Sequence, residues 1–263
     1  MAHDARLFFV FAFRKDLAGG EPLRRFDELL LSLGFIPHYS SSAEGQIWPI
    51  LVPGWTLNYE VFFFALFFLG IVGGRPVLLT TLAIFVLVTL GQLSQSDSAV
   101  WITWTNEILL FFAIGILIAE AWKKVDLSSH VWAFYLGIAL LVLCAFPALP
   151  PQIVHPAMHI SVILTLIGTL ALQDRYPETK SRLLSVLGDA SYSIYLSHTI
   201  LMIVLFEALA QLSLEGVTQF VVVTATTVVA CALVGVLIHW TVERPMTRNL
   251  RKRFVSGERS EGA

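Results

Sequence analysis

The sequence predicts an all-α, polytopic transmembrane helix bundle of about seven spans. Three observations carry this expectation. First, 56% of the 263 residues are hydrophobic and only 14% are charged, with a mean hydropathy of +0.75. Soluble domains keep about a quarter of their residues charged, so this composition fits lipid as the solvent. Second, apolar stretches long enough to cross a hydrocarbon core of about 30 Å recur along the chain. Third, the basic residues between those stretches alternate strictly from loop to loop.

The stretches run from 57 to 73, 77 to 93, 104 to 121, 131 to 149, 155 to 172, 191 to 212 and 217 to 240, with short punctuated loops between them. The loop after the first carries Arg75, and the loop after the second has no Lys or Arg. Lys123 and Lys124 follow the third, and the loop after the fourth has none. Arg175, Lys180 and Arg182 follow the fifth, and again none follows the sixth. The tail after the seventh holds Arg244, Arg248, Arg251, Lys252, Arg253 and Arg259. A missed or invented span would scramble this alternation. Because Lys and Arg concentrate in cytoplasmic loops, the C-terminus is expected in the cytoplasm and the segment before Trp55 on the outer face.

Cys144 and Cys231 both lie inside apolar runs, where a thiol behaves as a small hydrophobe; they suggest neither a disulfide framework nor a zinc site. A net charge of −2 says little, and nothing points to nucleic acid. The partner expected from composition is the lipid bilayer itself.

The first residues fit less well. Leu7 to Phe13 is too short to span, is followed by Arg14 and Lys15, and lacks a small-residue cleavage site after it. Arg24 and Arg25 precede a short apolar helix expected over Phe26 to Phe35. Three segments result: 1–52 as an incomplete N-terminal segment with a short helix and an outer-face loop, 53–244 as the transmembrane domain, and 245–263 as a basic cytoplasmic tail.

The run Pro53-Gly54-Trp55-Thr56-Leu57-Asn58-Tyr59-Glu60 is the most chemically loaded part of the chain. A carboxylate in hydrocarbon costs at least about 2.5 kcal/mol, so an intramembrane Glu60 is a functional hypothesis, against which stands an interfacial residue reaching for headgroups. On a helix Glu60 shares a face with Thr56, while Asn58 lies about 200° around from Glu60. Trp55 and Tyr59 suit the membrane–water interface. His198 lies about 12 Å into the sixth stretch, on a stripe with Ser191, Tyr195 and Met202. It can line a cavity or bond to a neighbouring helix. Asp189 is expected to cap that helix, and Tyr192 and Ser193 can meet a substrate or another helix. In the last stretch Gly235, His239 and Glu243 share a face, and Pro245 is expected to end the helix near Glu243. Arg244 can grip a phosphate or snorkel to headgroups. His155 and His159 lack the acidic partner of a zinc motif, and no metal is expected. Glu107 and Glu207 sit near outer ends, within reach of water.

Three strings then carry a resemblance: Leu33-Gly34-Phe35-Ile36-Pro37-His38 with Trp48 to Glu60, Leu187-Gly188-Asp189-Ala190-Ser191-Tyr192-Ser193-Ile194-Tyr195-Leu196-Ser197-His198, and Val242-Glu243-Arg244-Pro245-Met246. In this order and spacing they resemble the membrane acyltransferase 3 family, especially its exopolysaccharide O-acetyltransferase branch. The resemblance implies transfer of an acyl group, usually acetyl, from cytoplasmic acyl-CoA to a hydroxyl of a surface polysaccharide or lipid-linked saccharide. Acyl-CoA would be a donor substrate, with no tightly bound cofactor.

The expected roles are Glu60 and His198 as catalytic residues facing one wet cleft, and Trp55, Asn58, Tyr59, Tyr192, Ser193 and Arg244 as substrate-binding residues. Such chemistry needs a positioned base, which contributes roughly 10² to 10⁴ in rate, and a group that steadies the oxyanion. The family also implies earlier helices bearing a His and a basic motif. Neither has a matching position here, since His3 lies in no apolar helix, so the expectation is a truncated chain with little or no turnover alone. The rival expectation is a catalytically silent remnant, or a membrane protein that binds glycan or a partner without turnover.

Overall fold

The computed structural model describes residues 22–144, 149–176, 181–209 and 216–255. His3, Leu7 to Phe13, Lys180 and Arg259 lie outside them. Every regular element among the described residues is helical. In chain order these are α1 (Pro22–Leu33), α2 (Trp55–Val72), α3 (Pro76–Leu93), α4 (Ala99–Trp104), α5 (Leu109–Trp122), α6 (Trp132–Cys144), α7 (Pro151–Arg175), α8 (Arg182–Asp189), α9 (Ser191–Leu209), α10 (Gly216–Ile238) and α11 (Arg244–Val255).

Five stretches are long and apolar enough to cross a membrane: Val52–Val72, Pro76–Leu93, Ala99–Trp122, Pro151–Arg175 and Gly216–Lys252. The pair α8 and α9 qualifies jointly although bent by 68°, and Ser128–Cys144 is a shorter apolar helix. Together they make the expected bundle of about seven spans.

The differences from the sequence reading have local causes. The third span begins earlier than expected, at Ala99 rather than 104, and its regular helix is interrupted between α4 and α5, where the Asn106 side chain accepts a bond from the Ile108 amide (2.9 Å). The short helix near the start is α1, which begins at Pro22 and ends at Leu33 rather than Phe35, because Phe35 takes the left-handed conformation, φ 54°. Asp189 does not cap α9. The chain bends there but stays helical, so the amides of Ala190 and Ile194 are met by the carbonyls of Val186 (3.1 Å) and Ala190 (2.9 Å). The cap residue is Ser181, whose hydroxyl accepts from the Leu184 amide at the start of α8.

The described residues form two compact units, one of 22–62, 96–103 and 181–255, the other of 63–95 and 104–176. In the second unit, α6 and α7 make a tight hairpin. A Cβ on Gly168 would stand 2.0 Å from the Phe134 amide nitrogen, and one on Gly137 would stand 2.4 Å from Thr165 Oγ1. Without a hydrophobic drive between helices in lipid, such close backbone approach at small residues is what holds them. At one end of the hairpin the Asp174 carboxylate accepts from Trp122 Nε1 (3.0 Å) and the Leu127 amide (3.2 Å). This joins the chain segments around Lys123, Lys124 and Arg175 at one level. In the first unit, α9 and α10 pack antiparallel along Thr227, Cys231 and Gly235, all buried. A Cβ on Gly235 would fall 2.6 Å from the Ile194 Cα.

Candidate active site

The polar side chains of the first unit gather around the first two turns of α9. Ser193 is buried, and its hydroxyl donates to Glu243 Oε2 at 2.5 Å. On the same carboxylate oxygen, His239 Nδ1 stands 3.0 Å away but off the line of a hydrogen bond, since that nitrogen has no hydrogen-bond partner among the described residues. The contact is therefore an ion pair when the imidazole is protonated, not a directed bond.

Local structure explains why His239 and Glu243 reach α9. Residues His239–Glu243 form a π-helical turn, with the Arg244 amide bonded to the His239 carbonyl. In a regular α-helix the ring of Pro245 would collide with the Thr241 carbonyl. The wider turn displaces that carbonyl, so the helix does not stop near Glu243 but continues into α11. π-turns of this kind recur at functional sites. The stripe Thr227, Cys231, Gly235, His239, Glu243, with residues four apart, thus stays on the face that meets α9.

A second group lies one turn further along α9. The Tyr195 hydroxyl donates to the Pro53 carbonyl (2.7 Å). Thr56 Oγ1 stands 2.8 Å from the Tyr195 oxygen and 3.2 Å from the same Pro53 carbonyl, so the two hydroxyls share that acceptor. The Tyr195 and His198 rings lie 5.6 Å apart, as their shared stripe predicts. His198 Nδ1 bonds to the Tyr195 backbone carbonyl. A carbonyl only accepts, so Nδ1 holds the proton and Nε2 is bare apart from a long 3.4 Å approach by the Thr199 hydroxyl.

Glu60 sits one turn after Thr56, half-buried, and has no hydrogen bond or ion pair to any described residue. Glu60 and Glu243 both lie within electrostatic reach of the Tyr192 hydroxyl. The two expected catalytic residues are thus not in direct contact. Glu60 faces Tyr192, His198 faces Tyr195, and the Thr56–Tyr195 contact links the two neighbourhoods.

The other expected site residues divide as follows. Asn58 is 3% exposed, and its Oδ1 has no hydrogen-bond partner among the described residues. Tyr59 is buried with the Trp55 ring against its edge, centroids 5.8 Å apart. Arg244 lies with Pro245, Arg248, Asn249 and Lys252 along a groove of about 380 Å³ on α11. No carboxylate among the described residues pairs with Arg244, Arg248 or Lys252. His159 packs on the Phe111 edge, centroids 5.0 Å apart, and no group of metal-ligating side chains exists among the described residues. Glu107 is exposed at the α4–α5 turn.

Sequence reasoning singled out Ser193, His239 and Glu243 separately but did not join them. The signal was there in the stripe Gly235, His239, Glu243, whose glycine marks the face that approaches another helix. Likewise His38, read only as part of a motif, is buried with Nδ1 bonded to the Ile36 carbonyl (3.0 Å) and Nε2 unpartnered.

The profile of a family described as an acyltransferase domain matches residues 25–236, a range that holds Asn58, Glu60, Ser193 and His198. The exopolysaccharide production protein ExoZ of Rhizobium meliloti (strain 1021) is 34% identical over 239 residues, covering 88% of this chain and 72% of that protein. No solved structure matches. The chain belongs to the acyltransferase 3 family of membrane proteins.

Proposed function

We propose that this protein acts in exopolysaccharide production, moving an acetyl group from acetyl-CoA to a hydroxyl of a polysaccharide or lipid-linked sugar within a bacterial plasma membrane. The observation that carries the reading is the fixed His198 ring, which offers an unprotonated Nε2 among polar groups inside an otherwise apolar bundle. The family membership and the name of the Rhizobium relative support the acyl and polysaccharide parts of the reading.

In this scheme the sugar hydroxyl gives its proton to His198 Nε2 while its oxygen attacks the thioester carbonyl. The C–S bond breaks, and the CoA thiolate takes a proton back from the imidazolium. A neutral imidazole suits the task because Nε2 can take a proton while Nδ1–H keeps its bond to the Tyr195 carbonyl. Holding Nδ1–H on a backbone carbonyl fixes the tautomer, and the same carbonyl steadies the imidazolium that forms.

Glu60 accepts from another hydroxyl of the sugar, and the bare Asn58 Oδ1, on the opposite side of α2, accepts from a separate part of the acceptor. A buried acceptor without a donor costs about 1–3 kcal/mol, and a sugar hydroxyl would remove that cost. Trp55 and Tyr59 provide a ring face for the sugar. Tyr192 and Ser193 border the reacting group, the Tyr192 hydroxyl being free to donate to a developing oxyanion. Arg244, with Arg248 and Lys252, holds the donor's phosphates along the α11 groove from the cytoplasmic side.

The test is transfer of labelled acetyl from acetyl-CoA to exopolysaccharide by membranes carrying this chain. Label in the polysaccharide that disappears on alkaline ester cleavage supports O-acetylation. Absence of label at chain levels matched by immunoblot supports the catalytically silent reading instead.

A further inference from the structure

Helix α1 is two-sided, whereas α2 is apolar nearly all round. At about 100° per residue, Phe26, Leu29, Leu30 and Leu33 share roughly 100° of arc, and Glu28 and Ser32 centre about 130° away. All four apolar side chains stand in the open, 56%, 41%, 52% and 67% exposed. Exposed apolar patches of this kind mark a contact with something else.

The other side of α1 is tied down. Glu28 accepts from the Ser41 amide (3.2 Å) and hydroxyl (3.1 Å), and the Ser32 hydroxyl accepts from the Ile50 amide (3.1 Å). At the end of the helix the Ile36 amide closes on the Leu31 carbonyl (2.9 Å) around Phe35, whose φ of 54° costs about 1–2 kcal/mol in a residue with a Cβ. These ties stop α1 from rolling, so the stripe cannot turn inward against the protein.

The same ties say what meets the stripe. Ile50 stands two positions before Val52, where the stretch Val52–Val72, long and apolar enough to cross a membrane, begins. A crossing stretch starts at the edge of the hydrocarbon, so the last turn of α1, held to Ile50, lies at that edge. Leu33, Ile50 and Leu51 are all exposed beside this tie and continue the stripe toward the crossing stretch. The twelve residues of α1 reach only about 18 Å, too short for a core of about 30 Å. Arg24, Arg25, Asp27 and Glu28 sum to no net charge. A short helix that is apolar along one side and polar along the other lies in the plane of the interface.

We infer that α1 is an interfacial helix, lying along the membrane surface with Phe26, Leu29, Leu30 and Leu33 among the phospholipid acyl chains. Its partner is the bilayer, met through apolar contact rather than charge. Through Glu28 and Ser32 it holds residues 34–54 against the membrane at the level where α2 starts, just ahead of Asn58 and Glu60. This role goes beyond acyl transfer and does not rest on it.

The test reads the surroundings of the stripe in the full chain, reconstituted in phosphatidylcholine bilayers. Nitroxides on Leu30→Cys and Leu33→Cys, and on Glu44→Cys at an exposed polar position, are relaxed in turn by oxygen, which concentrates among acyl chains, and by a nickel chelate, which stays in water. The signal of the labelled unsubstituted chain, from Cys144 and Cys231, is subtracted. The oxygen-to-nickel ratio should be several-fold higher at positions 30 and 33 than at position 44. A ratio no higher than at position 44 means that the stripe faces water, and shielding from both reagents means that a second copy or another part of the chain covers it. Either result overturns the assignment. Should Leu30→Cys or Leu33→Cys fail to fold, Phe26→Cys and Leu29→Cys report the same stripe. Acetyl transfer enters none of these outcomes, so its presence or absence is judged separately.

Discussion

Two helix seams in this protein use the same device to opposite ends. Between α6 and α7, Gly137 and Gly168 let two backbones touch, and the hydroxyl of Thr165, which faces Gly137, is satisfied within its own helix by the Ser161 carbonyl (2.7 Å). Between α9 and α10, Gly235 permits the same approach, but the seam ends in Ser193, Glu243 and His239. Close packing gives rigidity in the first seam. In the second it fixes a carboxylate and an imidazole against the start of α9, and the helix accepts a π-turn to keep them there.

Breaking the first seam should have the largest effect on stability. Gly168→Ala places a methyl on the Phe134 backbone, which cannot yield as a flexible side chain can. Overpacking costs about 1–3 kcal/mol or more, read as loss of folded chain in a thermal-melt assay. Gly235→Ala should cost somewhat less, because Ile194 Cγ1 can turn aside although its Cα cannot. If the two substitutions are equally mild, the seams are looser than described.

The second seam can be sharpened by separating charge from bonding. Glu243→Gln keeps an acceptor for Ser193 and should leave the melting temperature almost unchanged. Glu243→Leu removes the acceptor and should cost about 1–3 kcal/mol. Tyr195→Phe deletes the hydroxyl between α9 and Pro53 and should cost about 0.5–1.5 kcal/mol, read in the same thermal-melt assay.

The smallest effect concerns the loop after α5. The Ser128 amide (2.8 Å) and hydroxyl (2.9 Å) both donate to Asp126 and hold its carboxyl below the usual range. A depressed folded-state pKa adds stability that is present above the unfolded pKa and is lost as pH falls through the folded one. Asp126→Asn should therefore flatten only the acid side of a stability–pH profile, and only slightly, because the carboxylate is fully exposed.

The spans were legible in the sequence because lipid imposes a length and a composition on any helix that crosses it. The site was legible as residue types, since a Glu or His in an apolar run must have a use, and the motif order gave the family. What stayed hidden were features that depend on pairing across distance. Ser193 and Glu243 are fifty positions apart, and Asp174 reaches back to Trp122 across a hairpin. The bend at Asp189 was concealed because Gly-Asp-Ala-Ser reads as a capped start, whereas the preceding turn supplies the missing carbonyls. The π-turn was concealed because Pro245 signals a helix end equally well.

The most direct test of the account compares acetyl transfer by wild-type chain with that by His198→Gln, at matched melting temperature. Loss of the bare Nε2 should lower transfer by roughly 10² to 10⁴ while binding of acetyl-CoA persists. Transfer at the wild-type rate in the substituted chain would return His198 to a packing role and contradict the assignment of the site.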